Sequence, residues 1–231
     1  MKMARQQHGR AFCSAVVSLV LCGCASVSVK EDRWQPGGLE APRKVVVADY
    51  KMPDSALRVD REGSELAGFK SELSATFSGM LVERLSERVA PARRIASAPP
   101  AKGDWVLEGE FTRVNQGSRL LRSLIGWGAG GTKIETRTRV YLQTDRNRRR
   151  LLGEIATTGG SNAEPGALGL PVPVTAGVRL VLSASLTGLS PDMRRTARMI
   201  SAAVAGHLRS GGHELPGQSE PVKRPGEFTL P

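Results

Sequence analysis

Trp105-Val106-Leu107-Glu108-Gly109-Glu110-Phe111-Thr112-Arg113-Val114 decides the fold. Leu107, Gly109 and Phe111 fall on one face and Glu108, Glu110 and Thr112 on the other. A period of two with one polar row belongs to a strand that is packed on one side and wet on the other. Downstream, Lys133 to Thr144 repeats the alternation, with Ile134, Val140 and Leu142 inward and Lys133, Glu135, Arg137 and Arg139 outward. If the two strands are neighbours, an acidic outer row faces a basic one. Asp145-Arg146-Asn147-Arg148 reads as a turn, and Leu151 to Thr158 returns as a further strand.

Upstream, Lys44-Val45-Val46-Val47-Ala48-Asp49-Tyr50 is a β-branched run and reads as a buried strand. From about Glu65 to Arg88, Leu66, Phe69, Leu73, Phe77, Leu81 and Leu85 recur at spacings of three and four, which makes one helical stripe. Pro91 stops that helix, and Arg93 to Ala98 can form a short strand before Pro99-Pro100. A last helix begins at Ser190 as N-cap, with Pro191 at its first position and Asp192 in its first turn. Its apolar face is Ala197, Ile200, Val204 and Leu208, and Gly211-Gly212 ends it. Gly166 to Leu189 is ambiguous, since Val178 to Ala184 suits strand and helix alike. These elements predict an α+β fold, a mostly antiparallel sheet packed on two helices in the order β-α-β-β-β-β-α.

The N-terminus carries an address. Lys2, Arg5 and Arg10 precede an apolar run from Ala11 to Leu21, too short to span a bilayer. Leu21-Cys22-Gly23-Cys24 then resembles the lipobox of bacterial lipoproteins. That resemblance implies cleavage before Cys24 and lipidation of its thiol and amine, with Ala25 in place of an inner-membrane retention aspartate. The expected address is therefore the outer membrane, with the domain in the periplasm and residues 1–23 removed as signal. Cys22 is a poorer acceptor, because bulky Leu21 precedes it. Several acyl chains would hold the protein far more firmly than one.

Between anchor and fold, residues 24–42 are polar and turn-rich, including Pro36-Gly37-Gly38, and read as a flexible tether. The domain is expected over 43–210, with a disordered tail over 211–231. Of 231 residues, 208 follow the signal, enough for one domain with a real core. All three cysteines, Cys13, Cys22 and Cys24, lie in or at the end of the signal, which excludes disulfides and thiolate chemistry in the mature chain. The chain has 33 Lys and Arg; the signal takes three, leaving 30 against 22 acids. That basic excess suits anionic surfaces, namely lipid head groups, lipopolysaccharide phosphates or an anionic polymer, and an envelope protein is a further possible partner. Nucleic acid is not expected as a partner for an exported, anchored chain.

Gly117 to Lys133 joins two hairpin strands yet is far longer than a hairpin turn needs. Its first half is apolar with Arg119 and Arg122; its second half is glycine-rich. A phosphate-binding loop is disfavoured, because Gly131-Thr132-Lys133 inverts the required order and a strand rather than a helix follows. Glycine at alternate positions suits a crowded backbone corner. Arg119, Leu120, Arg122, Ile125, Trp127, Gly128 and Gly130 are the candidate contacts with a partner or with lipid. The two readings are compatible.

Phe111-Thr112, Gly117-Ser118-Arg119 and Leu124-Ile125-Gly126-Trp127-Gly128-Ala129-Gly130-Gly131-Thr132-Lys133 carry a family resemblance. Here the chain is similar to proteobacterial lipoproteins of domain of unknown function 4410 (DUF4410), from about Val45 to Leu208. The resemblance implies a lipoprotein domain and no catalytic residues.

No enzyme is expected, and no cofactor or metal. His8 is in the signal, His207 late in a helix and His213 in the tail, and no metalloprotease or hydrolase motif appears. Asp49 reads as a turn-capping carboxylate, Glu108 and Glu110 as ion-pair partners, and Arg146 to Arg150 as a basic hairpin tip. The expected role is a non-enzymatic binding or assembly module of the envelope. The alternative is a subunit of an envelope secretion or transport assembly that contacts membrane through the glycine-rich loop.

Overall fold

Val45, Val46 and Val47 are fully buried, which only a strand covered on both faces provides. They form β2 (Val45–Val47) inside a seven-stranded sheet. The computed structural model describes residues 26–37, 39–116, 132–160, 186 and 188–226. The strands are β1 (Ser26–Trp34), β2, β3 (Leu57–Arg58), β4 (Ala92–Arg94), β5 (Trp105–Asn115), β6 (Lys133–Asp145) and β7 (Arg148–Gly160). Two helices complete the fold, α1 (Gly63–Arg88) and α2 (Ser190–Ser210). Across the sheet the order is β1-β7-β6-β5-β2-β4, with β3 pairing β5 off that path.

The α+β class holds, but the sheet is mixed rather than mostly antiparallel. β5, β6, β7 and β1 pair antiparallel, whereas β2 is parallel to both β4 and β5, and β3 is parallel to β5. The cause is α1. A helix between β2 and β4 carries the chain back to its starting end, so the two strands run the same way.

The element order also differs from the predicted one, through two additional strands, β1 and β3. Ser26–Trp34, placed in the tether, pairs with β7 from Ser26 opposite Gly160 to Trp34 opposite Gly153, with Val27 and Val29 buried. The tail, expected to lack structure, packs against the fold as far as it is described. The Val29 amide donates to Lys223 O at 2.8 Å, Leu215 and Val222 lie on the core, and Arg224 meets Asp32 at 3.0 Å. These contacts cover part of the outer edge of β1.

Both helices pack on one face of the sheet and touch each other. Phe69, Leu73, Phe77, Leu81 and Leu85 of the α1 stripe are buried. Ser74 and Ser78 point inward as well, donating to Tyr50 O and Ala48 O. Phe77, Phe111 and Tyr50 form an aromatic centre, with ring centroids 4.7–5.7 Å apart. In α2, Ser190 is the first helical residue and Leu189 caps it, one position from the expected boundary. The β6–β7 turn is at Arg146-Asn147, where the sequence placed it.

Candidate functional site

Two surfaces of the sheet hold or flank residues singled out in the sequence: one end and one face. The end comes first because it frames the glycine-rich segment. Ser26 pairs with Gly160, Gly160 with Lys133, Lys133 with Asn115, and Asn115 with Arg58, a transverse row of five strand positions. Gly160 has to be glycine. A Cβ there would lie 2.1 Å from Thr132 O and 2.9 Å from Lys133 Cα, closer than backbone atoms permit.

Thr132 fixes this end to α2. Its hydroxyl donates to Asp192 Oδ2 at 2.5 Å, and Arg195 Nη1 lies 3.2 Å from Asp192 Oδ1. Asp192 is fully buried, in the first turn of α2, where the helix dipole favours a carboxylate. The sequence marked Asp192 as a capping-turn acid and missed its partner 60 residues away. The candidate contacts Arg119, Leu120, Arg122, Ile125, Trp127, Gly128 and Gly130 lie outside the described residues. So do Leu21, Cys22, Gly23 and Cys24, as well as Val178 to Ala184.

The solvated face carries the predicted charge rows. Glu108 pairs in register with Arg139, and Glu110 with Arg137. Arg137 Nη1 is 3.8 Å from Glu110, and Glu154 on β7 lies 3.5 Å from Arg137 and 3.0 Å from Arg139. Arg149 closes the set on Glu108. Glu154 raises the Arg139 pKa through its hydrogen bond, against a small opposing effect of burial. Burial pushes the Glu135 carboxyl up, but hydrogen bonds from Lys133 and Thr158 outweigh it and leave the pKa below the ordinary value. The pocket over Gly109, between Lys51, Glu110, Arg137 and Tyr141, encloses about 70 Å³. That is room for a few waters. Glu108, Glu110 and Glu154 on this face are paired with arginines, and Glu135 with Lys133.

The other candidate titrating residues have partners as well. Asp49, expected as a turn cap, takes a two-oxygen ion pair from Arg94 at 2.6–3.0 Å. His207 stacks on Trp34 at 4.3 Å with an interplanar angle of 6°. Burial pushes the His207 pKa down, and the nearby Asp32 opposes that. His213 Nε2 hydrogen-bonds Leu39 O. Burial holds the Tyr50 phenol well above its usual pKa, against a smaller lowering by its bond to Thr138. Among the described residues no group of three His, Cys, Asp or Glu can hold a metal ion, and no helix is long and apolar enough to cross a membrane.

The domain is a mixed α+β fold whose solvated sheet face carries its arginines and glutamates in ion pairs. The chain belongs to the family of domain of unknown function DUF4410, whose model matches residues 45–167. The match starts at Val45, where the resemblance placed it, and ends before α2, short of the expected Leu208. No curated protein matches the chain. Among solved structures, the chain is similar to the PelC dodecamer from Paraburkholderia phytofirmans at 12% identity and a TM-score of 0.43. That likeness covers 78% of this chain and 97% of that one. A PelC variant from the same organism is similar at 11% identity and a TM-score of 0.39, over 78% and 96%.

Proposed function

We propose that this chain is a bacterial envelope lipoprotein, anchored in the outer membrane through Cys24, whose domain is a non-enzymatic binding or assembly module in the periplasm. The observation that carries this reading is the transverse row from Ser26 through Gly160 and Lys133 to Asn115. Two residue steps separate Cys24 from Ser26, so strand β1 starts within about 7 Å of the anchor. Three strand spacings, about 14 Å in all, then separate Ser26 from Asn115, one residue before Gln116 and the candidate contact segment. An acyl anchor at Cys24 thus sets this end of the sheet against the bilayer surface, with little tether between.

Metabolic palmitate labelling with membrane fractionation tests the reading. Wild type is expected to take label and to sediment with outer membranes, and Cys24→Ala to lose both. Label retained by the variant refutes the anchor.

The same row favours a second reading, a subunit of an envelope secretion or transport assembly that touches membrane through 117–131. It expects a detergent-stable oligomer of the purified lipoprotein. A strictly monomeric protein refutes it.

A further inference from the structure

The end of the sheet opposite Ser26 gathers cations from three chain segments. A second transverse row runs there: the Arg43 amide meets Gly103 O at 3.4 Å, the Gly103 amide donates to Gln143 O at 2.9 Å, and Gln143 pairs with Arg149. Arg43, Lys44, Lys102, Arg146, Arg148 and Arg150 project around this row, and all six are exposed. None of the six has a carboxylate partner among the described residues, whereas the arginines of the sheet face are paired. Asp145, the acid within the hairpin tip, is engaged by the Arg146 amide at 2.7 Å. Beside the tip lies an open cleft. Its apolar wall is Ile95, Pro99, Pro100 and Ala101, and its polar wall is Lys102, Arg146 and Arg149 with the carboxylate of Asp145 among them.

We infer that this end of the domain docks an acidic, extended segment of a protein partner, with carboxylates on the cation row and an apolar side chain against Ile95 and Pro99-Pro100. Charge complementarity argues for the occupant. Unpaired like charges held together repel, and an anionic ligand removes that cost. The apolar wall decides which anion, because a polypeptide can alternate carboxylates with aliphatic side chains, whereas a uronic-acid polymer has none to place there. Leu151, beside the tip, is the large apolar side chain exposed among the described residues, so recognition here is electrostatic first. Fast, salt-sensitive association follows. The inference deepens the envelope-module reading by naming the partner's chemistry. β5 spans eleven residues, about 33 Å, so this end faces away from a Cys24 anchor.

The test uses the full-length chain in detergent and a fluorescent peptide of alternating Glu and Leu, read by anisotropy. Arg146→Ala/Arg148→Ala/Arg150→Ala removes three exposed charges. Arg33→Ala/Arg84→Ala/Arg194→Ala removes three elsewhere and is the control. Expected is saturable binding that weakens about tenfold in the hairpin variant and less than about twofold in the control. Equal loss in both variants makes the attraction diffuse and overturns the inference, as does absence of binding. Polygalacturonate binding as tightly as the peptide overturns it in favour of a polymer. Because binding is read in detergent, it stands or falls separately from palmitate labelling at Cys24.

Discussion

Gly109→Ala is expected to be among the most damaging single-methyl additions in this fold. The new Cβ would lie 2.2 Å from Tyr50 Cε1, 2.4 Å from Cζ and 2.7 Å from Cδ1. The ring has nowhere easy to go. Its hydroxyl bonds Thr138 Oγ1 at 2.7 Å in a buried site, and Phe77 and Phe111 crowd it from the helix side at 4.7 and 5.7 Å. Overpacking of this kind costs about 1–3 kcal/mol. Tilting the ring also breaks the Thr138 bond, which leaves buried hydroxyls unpaired at about 1–3 kcal/mol more. The expected loss is therefore about 2–6 kcal/mol by urea unfolding, a large share of a typical 5–15 kcal/mol. A cycle with Tyr50→Leu isolates the cause. Once the ring is gone, adding the methyl should cost less than about 1 kcal/mol, a coupling expected only for residues in contact. A loss below about 0.5 kcal/mol in the single variant, or simple additivity in the cycle, refutes the packing argument.

Stability should also depend on pH through His207. Its folded pKa is below the unfolded value near 6.5, so the native state binds fewer protons; this contribution is complete above that pH and is lost as pH falls through the folded pKa. His207→Gln should flatten the slope between roughly pH 7 and 5 in thermal melts, and an unchanged slope counts against the stack as its source. Thr132→Val removes the donor to buried Asp192 and should cost about 1–3 kcal/mol, with Thr132→Ser restoring most of it. Asp49→Asn should cost under about 1 kcal/mol despite its two-oxygen geometry, because both side chains are more than a third exposed and solvent screens the pair. A larger loss would mean that Arg94 anchors more than Asp49.

Where periodicity is local and dense, sequence and structure agree. The α1 stripe, the β5 and β6 alternation and the Arg146-Asn147 turn each depend on residues within a few positions, and each lies where the pattern puts it. That an acidic row could face a basic one was legible as well; the register that sets Glu108 opposite Arg139 and Glu110 opposite Arg137 comes from the structure. What failed was position outweighing pattern. Ser26-Val27-Ser28-Val29 alternates as cleanly as β5 does, but its nearness to a signal and to Pro36-Gly37 argued for a tether. Only β7, more than 120 residues away, completes it as a strand.

The parallel half of the sheet was hidden for a different reason. β3 and β4 are two and three residues long, too short to show a period. The direction of β4 follows from α1, which returns the chain so that β4 runs parallel to β2, and β3 continues along β5 in the direction of β2. The same distinction separates the two ends of the domain. Arg146 to Arg150 announce themselves as a run, but Arg43, Lys44 and Lys102 join them only because the Gly103 backbone bridges β2 to β6. Likewise, Ser26 and Asn115 are distant in sequence and share a row only through Gly160, where the missing side chain lets Thr132 approach. Both candidate surfaces are thus properties of strand register. A substitution that shifts register, such as Gly160→Ala, should disturb the row from Ser26 to Asn115 and leave the charge of the far end intact.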